Sequence, residues 1–385
     1  MRRERMARCF AERFGGEPAV WSRAPGRVDL MGSHTDYNLG FVLTLAISRD
    51  TWVAARPRED GMVRLYSANL DTLESFDLRA IPSHEKSGAR WGDYPRGVAW
   101  ALAAERLPLG GFDGVIHSTV PIRNGLSSSA ALECAVALVF RALGGWEMSG
   151  ERMALVCQRA ENEYVGMNCG ILDQFSSCLG RAGCALLLDC RDLSTRPVHL
   201  AEGIGVVICD TKSPRELVGG EYGARRALCE EGAALLGVPA LRDATIAQTA
   251  TLSGDVRKRC EFIIGENERV LAISDALAAG ERGAIRGLCA ESFAGARDLY
   301  EICSPSMLTM MEAMMAAPGA IGARQAGAGF GGCMVAFVEA GRTDQFAAYV
   351  SERYSERTGL APEIYPVEAA DGARLMHFAG LRSAC

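Results

Sequence analysis

The chain has 385 residues, 49% of them hydrophobic, and its 41 basic and 47 acidic residues leave a net charge of −6. That is enough chain and apolar content for two folded domains. The charges are mixed, with no basic block and no aromatic-basic interleaving, so nucleic acid is excluded as an expected partner, and no apolar run reaches the ~18 residues of a membrane-spanning helix.

The start, Met1-Arg2-Arg3-Glu4-Arg5-Met6, lacks the apolar core of a secretory signal, so a cytoplasmic protein is expected. Its 14 cysteines include no Cys-x-x-Cys pair and there are 5 histidines. The cysteines therefore read as reduced, buried, small apolar side chains, and a structural zinc site is not expected. Any metal should be Mg²⁺ on oxygen ligands.

In chain order, alternating apolar runs predict strands at 51–55 and 63–67, and periodicity predicts a helix over 97–105. Two consecutive helices follow at 130–143 and 150–164, separated by the Gly144-Gly145 break. A buried strand is expected at 184–189, and the stretch 191–200 reads as the domain junction, dividing the chain into 1–195 and 196–385. Beyond it come a strand at 204–210, helices at 222–236, 257–279 and 305–316, and strands at 334–339 and 363–367. No internal repeat or low-complexity tract is present.

Two segments concentrate chemistry. In Gly125-Leu126-Ser127-Ser128-Ser129-Ala130-Ala131-Leu132-Glu133, small residues run into an apolar helix. Unpaired N–H groups at a helix start bind anions, and a serine hydroxyl can ligate Mg²⁺. The plain reading is a serine N-cap. Upstream, Gly26-Arg27-Val28-Asp29-Leu30-Met31-Gly32-Ser33-His34-Thr35-Asp36-Tyr37-Asn38 sets short polar side chains on what reads as a tight turn. Such a set can ring the hydroxyls of a sugar, or it is a polar surface loop with Asx turns.

The second segment resembles the galactokinase signature, and residues 121–133 resemble the phosphate-binding motif of the GHMP small-molecule kinases. Three further stretches agree in order: Cys169-Gly170-Ile171-Leu172-Asp173-Gln174-Phe175, Glu221-Tyr222-Gly223-Ala224-Arg225-Arg226, and the glycine-rich Gly327-Ala328-Gly329-Phe330-Gly331-Gly332-Cys333. The resemblance implies an α+β, two-domain GHMP kinase fold, with an N-terminal α/β domain and a C-terminal ferredoxin-like α+β domain around a cleft. It implies an ATP-dependent, Mg²⁺-requiring sugar 1-kinase, with Asp173 as base and Arg27 stabilising charge. By the same resemblance Ser128, Ser129 and Glu161 hold the metal, and Ser33, His34, Asp36, Gly170 and Tyr222 face the sugar. Arg123, Asn124, Gly125, Leu126, Ser127, Ser128, Ser129, Ala130 and Gly329 would face the nucleotide.

Departures leave the sugar open. Ser33 stands where galactokinases carry a glutamate resembling a contact to the sugar's primary hydroxyl, and Arg123 stands where the superfamily has glycine. Galactose is the default substrate, and galacturonate, arabinose or another galactose-configured sugar is the alternative. Restoring the glutamate at position 33 is expected to shift preference toward galactose. A different class, a non-catalytic sugar and nucleotide sensor, requires damaged phosphate motifs, and those of this chain are intact.

Overall fold

A computed structural model of the protein describes residues 1–81, 90–122, 124–167, 169–213 and 220–378. Helix α1 (Arg2–Phe14) leads into the long strands β1 (Val20–Met31) and β2 (Phe41–Arg58), then β3 (Met62–Ser67), β4 (Thr72–Asp77), α2 (Asp93–Ala104) and β5 (Gly111–Ser118). Three helices follow, α3 (Ser128–Gly144), α4 (Gly150–Arg159) and α5 (Leu172–Leu179), and then β6 (Cys184–Asp189), β7 (Thr195–His199) and β8 (Ile204–Asp210). The remainder is α6 (Glu221–Leu236), α7 (Gly254–Ala279), α8 (Arg282–Asp298), α9 (Pro305–Ala316), β9 (Ala320–Gln325), β10 (Cys333–Glu339), α10 (Thr343–Thr358), β11 (Glu363–Val367) and β12 (Arg374–Leu375).

Two sheets organise the chain. The first runs β12-β1-β2-β5-β3-β4, with β6 on β2 and β7 on β6; the second runs β11-β8-β10-β9. In the second sheet side chains alternate between faces, as strand geometry demands. Val207, Cys209, Met334 and Ala336 pack on α9 and α10, while Val206, Ile208, Val335 and Phe337 turn to the core shared with Val28, Leu30 and Leu45 of the first sheet and Val270 and Ile273 of α7. A separate core under the first sheet joins Val53, Val63 and Phe112 to Val98 of α2 and to Val136 and Phe140 of α3.

Some expectations change. The Arg27 segment is not a turn: Arg27 and Asp29 lie within β1, whose residues from Trp21 to Met31 are all buried. The turn begins at Gly32 and ends in a 3₁₀ turn, Asp36–Asn38. A strand covered on both faces loses the alternating pattern, and here its polar members disguise it further. The expected helix 150–164 is an α-helix only to Arg159 and continues as a π-helical turn, Ala160–Val165. The stretch 191–200 contains β7, which extends the first sheet. Helices α1, α5, α8 and α10 and strands β1, β4, β5, β7, β9 and β12 had no counterpart in the periodicity reading.

Candidate active site

The phosphate-binding expectation can be judged at the start of α3. Ser127 occupies its N-cap position in a left-handed conformation (φ 57°) and makes no side-chain cap hydrogen bond. Its Oγ is buried and without a protein partner. The plain N-cap reading therefore fails, because no serine satisfies the first N–H groups of the helix, and those groups are left for an anion. A left-handed non-glycine residue is costly and tends to mark a functional site. Gly125 (φ 78°) lets the chain reach it. Gly26 lets β1 lie close beneath, since a Cβ there would sit 2.7 Å from the carbonyl oxygen of Leu126.

Directly beside this loop, Arg27 Nε donates to Asp173 Oδ1 at 2.8 Å, its Nη2 donates to the same oxygen, and its Nη1 donates to the Gly125 carbonyl at 2.6 Å. One guanidinium thus ties the carboxylate to the loop. Asp173 sits in the first turn of α5, where the helix dipole favours negative charge. Its second oxygen, Oδ2, stays outside the Arg27 contacts, and Asp173 lines the same cavity as Ser127, Ser128 and Ser129.

Glu161 approaches from the π-helical turn and is 5% exposed, which removes the reading of a solvated helix face. Gln174 Nε2 bridges Glu161 Oε2 (2.6 Å) and Glu133 Oε2 (3.1 Å). Burial first, and then the charge of Asp173, lifts the Glu161 carboxyl to about 7. Burial and Glu161 push Glu133 well above the usual carboxyl range. Desolvated carboxylates crowded together hold protons that a cation would displace.

On the other side of the cavity, His34 (φ 66°) is buried, with Nδ1 2.8 Å from the Tyr37 hydroxyl and Nε2 3.0 Å from the Ala328 carbonyl oxygen. A carbonyl only accepts, so Nε2 carries the proton and Tyr37 donates to Nδ1. Burial holds the imidazole pKa down at about 4, so it is neutral. The Nε2 bond to Ala328 pins the turn to the glycine-rich loop of the second half, and the ring lies against Tyr222 and Tyr300. Asp36 is lifted to about 6, by burial first and by the Asp173 charge after it. Gly170 is what admits it: a Cβ on Gly170 would lie 1.6 Å from Asp36 Oδ2.

These residues share one cavity of about 1620 Å³, lined by Arg27, Ser33, His34, Asp36, Asn124, Gly125, Ser127, Ser128, Ser129, Glu161, Gly170, Asp173 and Tyr222. Not every expected residue takes part. Leu126 and Ala130 are wholly buried and do not line it. Gly329 does not either, because its close neighbour is Ile302, 2.7 Å from where its Cβ would stand. Asn124 lines the cavity with its amide turned to Asp210. Arg123 lies outside the described residues. Sequence reading assigned no role to the far wall, where Trp91, Leu70, Ile116, Ile122 and Leu132 form an apolar shelf edged by Asn69 and Thr72. Trp91 Nε1 donates to Thr72 Oγ1 at 3.0 Å, fixing the indole. Its signal was the Trp91-Gly92-Asp93-Tyr94-Pro95 stretch, whose partners on β4 and β5 only the fold supplies.

The galactokinase galactose-binding signature matches residues 8–57, the GHMP kinases N terminal domain residues 93–181, and the GHMP kinases C terminal domain residues 274–356. A galactokinase of Chloroflexus aurantiacus is 44% identical over 374 residues, covering 95% of each chain. One of Roseiflexus sp. is 42% identical over 372 residues, 94% of each. The crystal structure of Lactococcus lactis galactokinase complexed with galactose matches with a TM-score of 0.90 at 32% identity, over 96% of this chain and 98% of that one. A mevalonate kinase of Methanococcus jannaschii, 16% identical, shares the fold with a TM-score of 0.68 over 91% of this chain and 98% of that one.

An uncapped helix start facing an arginine-held aspartate, on this α+β two-domain fold, makes the protein a GHMP kinase. Within that class the chain belongs to the galactokinase family. It is a sugar kinase that uses ATP.

Proposed function

We propose that the enzyme transfers the γ-phosphoryl group of ATP to the anomeric hydroxyl of galactose. The observation that carries this reading is the Asp173–Arg27 pair tied to the Gly125 loop, beside the unsatisfied start of α3. Asp173 takes the proton from the hydroxyl as the oxygen attacks, and Arg27 holds that carboxylate in place and meets charge on the transferring group. The N–H groups of Ser128 and Ser129 cradle the phosphates, and the Trp91 shelf takes the base. His34, Asp36, Gly170 and Tyr222 position the sugar, and Asn124 borders the phosphates. The divisions 1–195 and 196–385 are proposed as the approximate domains that meet at this cleft, with all of β7 kept in the first because it pairs with β6, in a cytoplasmic enzyme. Release of ADP dependent on both galactose and ATP, read with a coupled assay, tests the reading, and ATP-independent sugar binding without turnover would favour the sensor.

Mg²⁺ is a cation held by one or two carboxylates plus phosphate and water. Glu161 with the hydroxyls of Ser128 and Ser129 fits that donor set, being hard oxygens around a buried carboxylate. Bound there, the ion would neutralise the β- and γ-phosphates.

A pH dependence follows. Glu161 is protonated below about 7, and metal must displace that proton, so apparent Mg²⁺ affinity should rise up to roughly tenfold per unit until pH 7 and level off above it. Glu161→Gln should weaken Mg²⁺ activation about tenfold or more and flatten this slope; an unchanged slope in activation titrations would remove Glu161 from the metal site. For stability the sign is opposite. Since the folded value lies above the ordinary 4.5, the contribution of protonated Glu161 is full below 4.5 and is lost as pH rises through about 7.

Gly170→Ala tests the sugar side. Its Cβ would displace Asp36, so KM for galactose should rise about tenfold while KM for ATP stays near its value. Equal rises in both constants would argue against a sugar-side role.

A further inference from the structure

The departure at position 33 sits in a fully packed polar cluster, and that cluster bears on which sugar fits. Ser33 Oγ donates to Asp29 Oδ2 at 2.8 Å and accepts from Arg324 Nη2 at 3.0 Å. Its hydroxyl is therefore in use on both sides, and the space is not a gap left by a missing glutamate. Asp29 is 2% exposed, and its Oδ1 has no partner in the protein. Both Asp29 and Ser33 line the cavity, whereas Arg324, fully buried, touches them from behind. Asp29 also shares a face of β1 with Arg27, two residues and about 6.6 Å away along the strand. That is about the reach from the anomeric oxygen of a pyranose to its hydroxymethyl oxygen, whose carbons flank the ring oxygen on either side, so Asp29 can meet the second while Asp173 holds the first.

Resting on the kinase reading above, we infer that Asp29 is the specificity-determining carboxylate of this pocket. Its free oxygen receives the hydroxymethyl hydroxyl of a neutral, galactose-configured hexose, and Ser33 and Arg324 hold it in place. An orphaned buried acceptor is costly, so a sugar that supplies a donor there is favoured over one that lacks it.

Charge decides against a uronate. Arg324 Nη2 lies 2.8 Å from Glu266 Oε1, Arg269 Nε lies 2.9 Å from Glu266 Oε2, and Arg324 Nη1 lies 3.8 Å from Asp29 Oδ2. Two guanidinium groups already face two carboxylates, and a substrate carboxylate would meet Asp29 before reaching Arg324. Arg324 Nη1 has no hydrogen-bond partner, but Arg324 does not line the cavity, so the substrate carboxylate would be a third negative charge that this donor does not reach. By the same reasoning Ser33→Glu alone sets a carboxylate against Asp29 and Glu266, so the gain for galactose expected from that substitution turns into a loss.

The test is a panel of galactose, 6-deoxygalactose, arabinose and galacturonate on the wild-type enzyme, with kcat and KM read separately. Galactose should exceed each of the others in kcat/KM by about tenfold or more. Asp29→Ala should raise KM for galactose about tenfold and leave KM for arabinose, which has no hydroxymethyl group, close to wild type. Ser33→Ala, a milder change, should do the same to a smaller degree. Ser33→Glu should lose galactose turnover, and Asp29→Asn/Ser33→Glu should recover part of it. Galacturonate turnover equal to that of galactose, or an arabinose KM that rises with the galactose KM in Asp29→Ala, overturns the inference while leaving the kinase reading intact. Absence of turnover with every sugar overturns the kinase reading instead. The calorimetric ratio of galactose to 6-deoxygalactose binding, tenfold if Asp29 selects and near one if it does not, then decides the inference by itself.

Discussion

Asp173→Asn should lower galactose turnover by roughly 10²–10⁴-fold while galactose and ATP still bind. The amide keeps the shape of the carboxylate but cannot accept the proton of the sugar hydroxyl, and it sets an NH₂ group near the Arg27 donors that now converge on Oδ1. Because phosphoryl transfer relies chiefly on positioning and charge stabilisation, a residual rate should remain, owed to the helix start and Arg27. The measurement pairs coupled ADP release with calorimetric titration of galactose and ATP. Turnover within about fivefold of wild type, with binding intact, would remove Asp173 as base. Loss of both binding and turnover would instead indicate a collapsed site.

Arg324→Met should be the most destabilising single change named here, costing about 3–5 kcal/mol of folding free energy. Arg324 and Glu266 are both 0% exposed. Arg324 Nε also donates to Ser292 Oγ at 3.0 Å, and Ser292 donates to Glu266 Oε1 at 2.9 Å. Removing the guanidinium takes the charged donor from Glu266 Oε1, which keeps only the neutral Ser292 hydroxyl and Gly32 N–H, and leaves Asp29 without its facing charge. Burial opposes the charge of Glu266, but Arg324 and Arg269 outweigh it and hold its pKa below the ordinary 4.5. The stability this contributes is present above 4.5 and is lost as pH falls through the lower folded value. Denaturant unfolding of wild type and variant at pH 7 and at low pH checks both points. The gap between them should narrow on acidification, and a gap that is small at pH 7 would mean the cluster adds little to folding.

How much of this was legible depended on what each residue packs against. Strands β6, β8 and β11 have the bounds expected from sequence, because continuous or alternating apolar runs define them. β1 and β9 were missed for one reason: the residues that break their apolar pattern, Arg27, Asp29 and Arg324, belong to the site and its supporting cluster. Helix α8 was hidden by Gly283, Gly287 and Gly295, of which Gly295 is needed where the Phe262 ring lies 2.9 Å from a would-be Cβ. The Arg27–Asp173 pair, the serine loop and Glu161 were legible through their motif resemblance. The bond from His34 to Ala328, 294 positions apart, and the seating of Ser33 between Asp29 and Arg324 were not, since no local pattern encodes a contact between β1 and β9.

The π-helical turn at Ala160–Val165 has an evolutionary consequence. Each residue of an α-helix advances the side-chain direction by about 100°, so one residue gained or lost in this turn would swing Glu161 away from Ser129 while α4 kept its own packing. Lineages of this enzyme should therefore hold the length of the stretch between Arg159 and Gly166 constant along with Glu161 itself, and a single-codon deletion there would uncouple metal use from an otherwise folded protein.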